Sequence, residues 1–135
     1  MALIETNAAL REQIRSFLQW RRQEVTFVEL LRFVPALKGE HDYLYPGFDT
    51  IVLWRGLSID GIDALTIMVE DGEVDLQPTS TLTYVFFDGY RSRLPIANAR
   101  RRYRTLRWWP MTLALRETDV EAAQIAVSRA LAQGE

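Results

Sequence analysis

The chain has no cysteine, a single histidine, a single lysine and, from Arg91 to Arg107, no acidic residue at all. Lack of cysteine removes thiolate zinc sites, redox pairs and a cysteine nucleophile, and fits a reducing compartment. His41 lies in a polar stretch between Glu40 and Asp42. Two further ligands would have to come from afar and nothing marks them, so it is expected in solvent and no metal is expected. There is no glycine-rich phosphate loop and no Gly-x-Ser-x-Gly elbow, and Asp60, Asp63, Asp71 and Asp75 match no calcium-loop spacing. Neither a cofactor nor an enzymatic activity is expected. The apolar runs Ile51 to Trp54 and Tyr84 to Phe87 are far too short to span a bilayer. Met1 to Leu10 lacks the basic and apolar regions of a signal peptide. The expectation is a cytoplasmic protein that does not enter a membrane.

What is present is a globular composition, 48% hydrophobic and 25% charged over 135 residues, which reads as one domain spanning 1–135. A chain of that size buries roughly two-thirds of its unfolded surface and folds without a disulfide or metal. Its charge is unevenly placed. Arg91, Arg93, Arg100, Arg101, Arg102, Arg104 and Arg107 fall in one segment, and without those seven the net charge of −2 becomes −9. Fifteen arginines against one lysine is a chain-wide bias that says little about function; the clustering is separate from it. Tyr103, Trp108 and Trp109 interleave or flank the cluster. Arginines on phosphates with Tyr103 or Trp108 stacked on bases would make a nucleic-acid contact. The same segment could clamp acidic surface of its own chain or of a second copy, or stand in solvent. One of the two tryptophans is expected to anchor in the core, because tryptophan buries a large area wherever it packs.

Periodicity divides the chain into short elements. Asn7 is placed to cap a first helix with Leu10, Ile14, Phe17 and Leu18 on one face and Arg11, Arg15 and Arg22 off it. Thr26 and Glu29 form a capping box for a second helix, with Val25 and Leu30 as a hydrophobic staple. Phe27, Leu30, Leu31 and Val34 form its buried stripe and Pro35 ends it. Lys38 to Gly47 reads as a polar connection and Thr50 to Trp54 as a strand. Ser58 caps a third helix, with Ile59, Ile62, Leu65 and Val69 facing one way and Gly72 as its stop. A strand begins at Glu73 and ends at Pro78. Leu82 to Phe87 carries a strong strand signal, and Asp88-Gly89 reads as a type I′ turn sending Tyr90 to Leu94 back along it. The arginine segment then forms a hairpin arm and a loop ending at Pro110. Met111, Leu113 and Leu115 alternate as a last strand, and Thr118 and Glu121 cap a terminal helix over 118–132. Ala123, Val127 and Ala130 on that helix are candidates for a dimer seam or for packing on the sheet of their own chain.

The passage Trp54-Arg55-Gly56-Leu57-Ser58 into Ala64-Leu65, then Gly72-Glu73-Val74 through Pro78 and Tyr84 to Asp88-Gly89, resembles a winged helix-turn-helix domain over roughly Asn7 to Leu94. The resemblance implies an α+β fold: a winged-helix-like helical core, a small antiparallel sheet and, here, a C-terminal helix. It also implies DNA binding, commonly as a homodimer, with the last helix before the wing in the major groove. That helix carries Asp60, Asp63, Glu70 and Asp71 and no basic residue, which is unfavourable between two phosphate rows. Nucleic acid would therefore be held by the wing and by Arg91, Arg93, Arg100, Arg101, Arg102, Tyr103, Arg104, Arg107 and Trp108. The alternative is a protein-interaction module in which the basic loop meets the acidic helix of another subunit.

Overall fold

The computed structural model describes residues 2–116, with side chains from Asn7 onward. The terminal helix expected over 118–132, with Ala123, Val127 and Ala130, lies outside the described residues. Among those described, four helices and two three-stranded sheets make a mixed α and β fold.

Helix α1 spans Ala2–Arg21, so Asn7 lies inside it rather than capping it. Leu10, Ile14, Phe17 and Leu18 form its buried face, as their spacing requires. Arg22 follows with φ 55 and its amide returns to the Leu18 carbonyl at 3.0 Å, a left-handed stop at a non-glycine residue. Strand β1 (Val25–Thr26) leads straight into α2 (Phe27–Phe33), where Thr26 is the N-cap and accepts from the Glu29 amide at 3.1 Å. The Glu29 carboxylate forms an ion pair with Arg21 Nε at 2.7 Å, tying α2 to the end of α1.

The polar connection expected over Lys38 to Gly47 is instead strand β2 (Lys38–Tyr45), paired antiparallel with β3 (Phe48–Leu57). Pro46-Gly47 makes the turn, with Gly47 at φ 83 where a side chain would be strained. β2 is a sheet edge, exposed along most of its length, so it carries no apolar alternation to mark it. β3 is the central strand and Ile51, Val52, Leu53 and Trp54 are all buried, which explains an unbroken apolar run. At the far end of the hairpin a Cβ on Gly39 would meet the Ser58 backbone at 2.5 Å, so only glycine lets β2 pass the start of the next helix.

Helix α3 (Ile59–Glu70) begins where its cap requires, with Ser58 Oγ accepting from the Gly61 amide at 2.9 Å. Gly72 at φ 76 ends it, and β4 (Val74–Pro78) follows. Arg15 of α1 forks onto Glu73 at 2.6 and 2.9 Å, and this hydrogen-bonded contact holds the Glu73 carboxyl below its usual range.

The strand expected over Leu82 to Phe87 is a helix, α4 (Thr81–Asp88). Ser80 Oγ accepts from the Leu82 amide at 3.0 Å at its start. At its end Gly89 adopts φ 63, ψ 21, and the Gly89 and Tyr90 amides close on the Val85 and Tyr84 carbonyls, each at 3.0 Å. Asp-Gly supplies a positive φ both to a hairpin turn and to a helix stop. A type I′ turn needs it at both central residues, and here only Gly89 has it. The return arm Tyr90 to Leu94 is consequently not a strand. The antiparallel partner of β4 is instead β6 (Met111–Leu115), reached after a long excursion that includes the two-residue strand β5 (Arg107–Trp108).

The sheets are ordered β1-β6-β4 and β2-β3-β5. Between them and the helices lies an aromatic core in which Phe27 stacks on Trp54 at 5.5 Å and Trp54 on Tyr84 at 5.8 Å. Tyr84, fully buried, accepts from the Phe27 amide at 3.1 Å and donates to the Met111 carbonyl at 2.6 Å. One hydroxyl thus joins α4, the first turn of α2 and the sheet.

Candidate nucleic-acid interface

From Gly89 to Arg116 the chain contains no carboxylate side chain. Tyr90 returns to the core, its ring 4.8 Å from Trp54 and 5.3 Å from Trp108. The backbone then runs beside β5: the Trp108 amide donates to the Pro95 carbonyl and the Ala97 amide to the Trp108 carbonyl, each at 2.8 Å. β5 in turn lies parallel to β3, with Ile51 opposite Arg107 and Val52 opposite Trp108.

The tip of the segment is a closed loop from Asn98 to Tyr103. The Tyr103 hydroxyl accepts from the Asn98 amide at 3.3 Å and donates to the Ala99 carbonyl at 3.2 Å. The Tyr103 amide donates to Thr50 Oγ1 of β3 at 3.0 Å. Ala97 and Tyr103 pack together with Ile51 as a small core of their own. Arg100, Arg101 and Arg102 are exposed on this pinned tip, and Arg91, Arg93 and Arg104 are exposed as well. Arg107 is half-buried and donates to the Ile96 carbonyl at 3.2 Å.

Two guanidinium groups converge on one ring. Arg101 and Arg107 lie 4.8 and 4.7 Å from the Tyr103 centroid, within cation–π range. Burial pushes the Tyr103 phenol upward, but the Asn98 amide and the Arg101 guanidinium outweigh it and the net displacement is downward. Two cations brought together with no acid between them form a place that favours an anion.

The arginines differ in their pairing. Of the seven described outside the segment, Arg15, Arg21, Arg55 and Arg116 pair with Glu73, Glu29, Asp42 and Asp75. Among the described residues, none of the seven inside it pairs with a carboxylate.

The aromatic half of the expected site is placed differently. Trp108 is 3% exposed, its Nε1 donates to the Leu53 carbonyl at 3.1 Å, and its ring meets Tyr84 edge-on at 4.8 Å. Tyr103 is 9% exposed with its ring covered by arginines. Neither has a face open to a base; both are fastenings of the loop. Trp109 is half-buried against Tyr45 at 5.6 Å. The most exposed rings among the described residues are Phe86 and Phe87 on α4, 78% and 81% exposed, with Leu82 at 57% on the same helix. Read as a strand, residues 82–87 give no outward face; read as a helix, Leu82 and Phe86 stand four apart on one side.

On α3, Asp63, Glu70 and Asp71 are exposed and Asp60 is half-exposed, and none has an ion-pair partner among the described residues. His41 is exposed on β2. The described residues contain no group of three or more histidine, cysteine, aspartate or glutamate side chains able to hold a metal ion, and no helix among them is long and apolar enough to cross a membrane. Comparison with known protein families, curated proteins and solved structures finds no match.

Proposed function

We infer that the protein is a non-enzymatic, winged-helix-like domain that binds nucleic acid through the phosphate backbone, using the arginine segment. The observation that carries this reading is the pairing of the arginines: four of the seven described on the body are matched with carboxylates, and among the described residues none of the seven in residues 91–107 is. A second support is the pinning of the tip by Tyr103 and Thr50, which lowers the ordering cost of binding. The winged-helix likeness is supported by three helices, with the hairpin β2–β3 between the second and third, ahead of β4, whose antiparallel partner β6 follows α4 and the basic segment. The wing is then β4 and β6 rather than the hairpin at Asp88-Gly89. Phosphate contacts position a protein without reading sequence. With Trp108 and Tyr103 engaged internally and α3 acidic, the segment grips charge and not a base pattern.

The test is fluorescence anisotropy with labelled oligonucleotides between about 50 and 200 mM salt, where several phosphate contacts cost orders of magnitude in affinity. Arg100, Arg101 and Arg102 changed together to alanine are expected to reduce the slope of log K against log salt by roughly 2.7 on duplex DNA or 2.1 on a single strand, about 0.9 or 0.7 per contact. An unchanged slope, or no binding by the parent protein at 50 mM, removes the reading.

A second reading rests on the unpaired carboxylates of α3: the basic loop of one copy meets the acidic helix of another. Light scattering across the same salt range is then expected to show an oligomer that dissociates as salt rises. A monomer at every salt concentration counts against it.

A further inference from the structure

Phe86 and Phe87 are large, adjacent and about four-fifths exposed, on a helix whose other side is locked into the core by Tyr84. Other exposed rings in the fold are partly covered by one another: Phe33 stacks on Phe17 at 4.9 Å and touches Trp20 at 5.8 Å. Among the described residues no aromatic ring packs against Phe86 or Phe87. A solvent-facing phenylalanine pair on a rigid support is unusual enough to need an occupant.

The charge around it indicates which. Asp88 is the one acidic residue between Leu76 and Arg116, and it is turned inward, accepting from Thr26 Oγ1 at 2.7 Å. Arg91 and Arg93 follow α4 directly and are exposed. Arg91 is four residues from Phe87, so the two Cα atoms lie at most about 14 Å apart. Trp108 connects the two regions, its ring against Tyr84 of α4 and its backbone hydrogen-bonded to Pro95 and Ala97 of the arginine segment. Two bare rings a few residues from arginines that have no carboxylate partner among the described residues supply the two parts of a single-strand binding surface: a charged track for the backbone and a platform for bases.

We propose that Phe86 and Phe87 stack on unpaired bases of a single-stranded nucleic acid whose phosphates lie along the arginine segment. The proposal rests on the nucleic-acid reading and narrows it to single strands, because paired bases have their faces covered by their neighbours in the duplex. The rings take the role that Tyr103 and Trp108, enclosed in the fold, do not fill.

The decisive variant is Phe86→Ala with Phe87→Ala. Both side chains are mostly exposed, so the fold is expected to survive, as its circular dichroism and melting curve would show. Binding to an unstructured single-stranded oligonucleotide is expected to weaken about fivefold or more for each base that loses its ring. The salt slope is expected to stay that of the parent protein, because no phosphate contact is lost. On an abasic strand of the same length the variant and the parent are expected to bind alike. If the double variant binds the normal strand as tightly as the parent while the Arg100/Arg101/Arg102 variant does not, the stacking proposal falls and the nucleic-acid function stands. Absence of binding to any oligonucleotide at low salt overturns both. An equal loss on duplex DNA would make the rings a wedge between paired bases and overturn the single-strand assignment. Sedimentation with anionic phospholipid vesicles that is lost in the double variant, without any effect on oligonucleotide binding, would assign the pair to a lipid surface instead.

Discussion

Tyr84→Ala is expected to destabilise the protein by about 3–5 kcal/mol, the cost of emptying a fully buried aromatic site, in a fold whose total stability is of order 5–15 kcal/mol. Tyr84 is 0% exposed and lies 4.8 Å from Trp108, 5.8 Å from Trp54 and 5.9 Å from Tyr90. Its removal opens the centre of the aromatic core. Tyr84→Phe separates the ring from the hydroxyl. It keeps the packing but strands the Phe27 amide, an otherwise unpaired donor in the first turn of α2, and the Met111 carbonyl at the start of β6. Leaving those two groups buried without a partner is expected to cost about 1–3 kcal/mol. Burial holds the Tyr84 phenol well above its usual range, so it stays protonated and keeps donating to Met111 throughout ordinary pH. Urea unfolding followed by circular dichroism measures both variants. A phenylalanine variant as stable as the parent would mean the hydroxyl is not a structural tie.

Tyr84 also shows why part of this fold was legible in the sequence and part was not. Thr26, Ser58 and Gly72 act through bonds to residues close by in the chain, so the starts of α2 and α3 and the end of α3 could be placed from sequence. The strand Met111 to Leu115 has its alternating residues Met111 and Leu113 in the core. Residues 82–87 read as a strand because β-branched and aromatic residues favour a pleated surface, yet β-propensity reflects packing more than backbone preference. Here the packing is set by one residue, Tyr84, and by caps at Ser80 and Gly89 that are also compatible with a turn. Strand β2 is illegible in the sequence for a different reason: an edge strand with polar side chains has no period to detect. In the candidate site, the clustered arginines were visible from charge alone. That Tyr103 and Trp108 would be enclosed, and that Phe86 and Phe87 would be exposed, depended on contacts with Thr50, Leu53 and Met111, residues distant in the chain.

Trp108 tests whether the loop is fastened or offered to a ligand. Trp108→Ala is expected to cost about 3–5 kcal/mol, since it empties a site between Trp54, Tyr84 and Tyr90. Trp108→Phe keeps an aromatic ring but leaves the buried Leu53 carbonyl without the Nε1 donor, and is expected to cost about 1–3 kcal/mol. Well below its unfolding midpoint the phenylalanine variant is expected to bind oligonucleotides with the parent's affinity and salt slope, because the ring has no face in solvent and the backbone bonds to Pro95 and Ala97 do not involve the side chain. A stacking tryptophan would behave in the opposite way: stability near that of the parent, with affinity for single strands reduced. Thermal unfolding and anisotropy on the same sample distinguish the two. Lowered stability with intact binding makes Trp108 the anchor from which the arginine segment is displayed; intact stability with weakened binding would return it to the binding surface and open the core placement to revision.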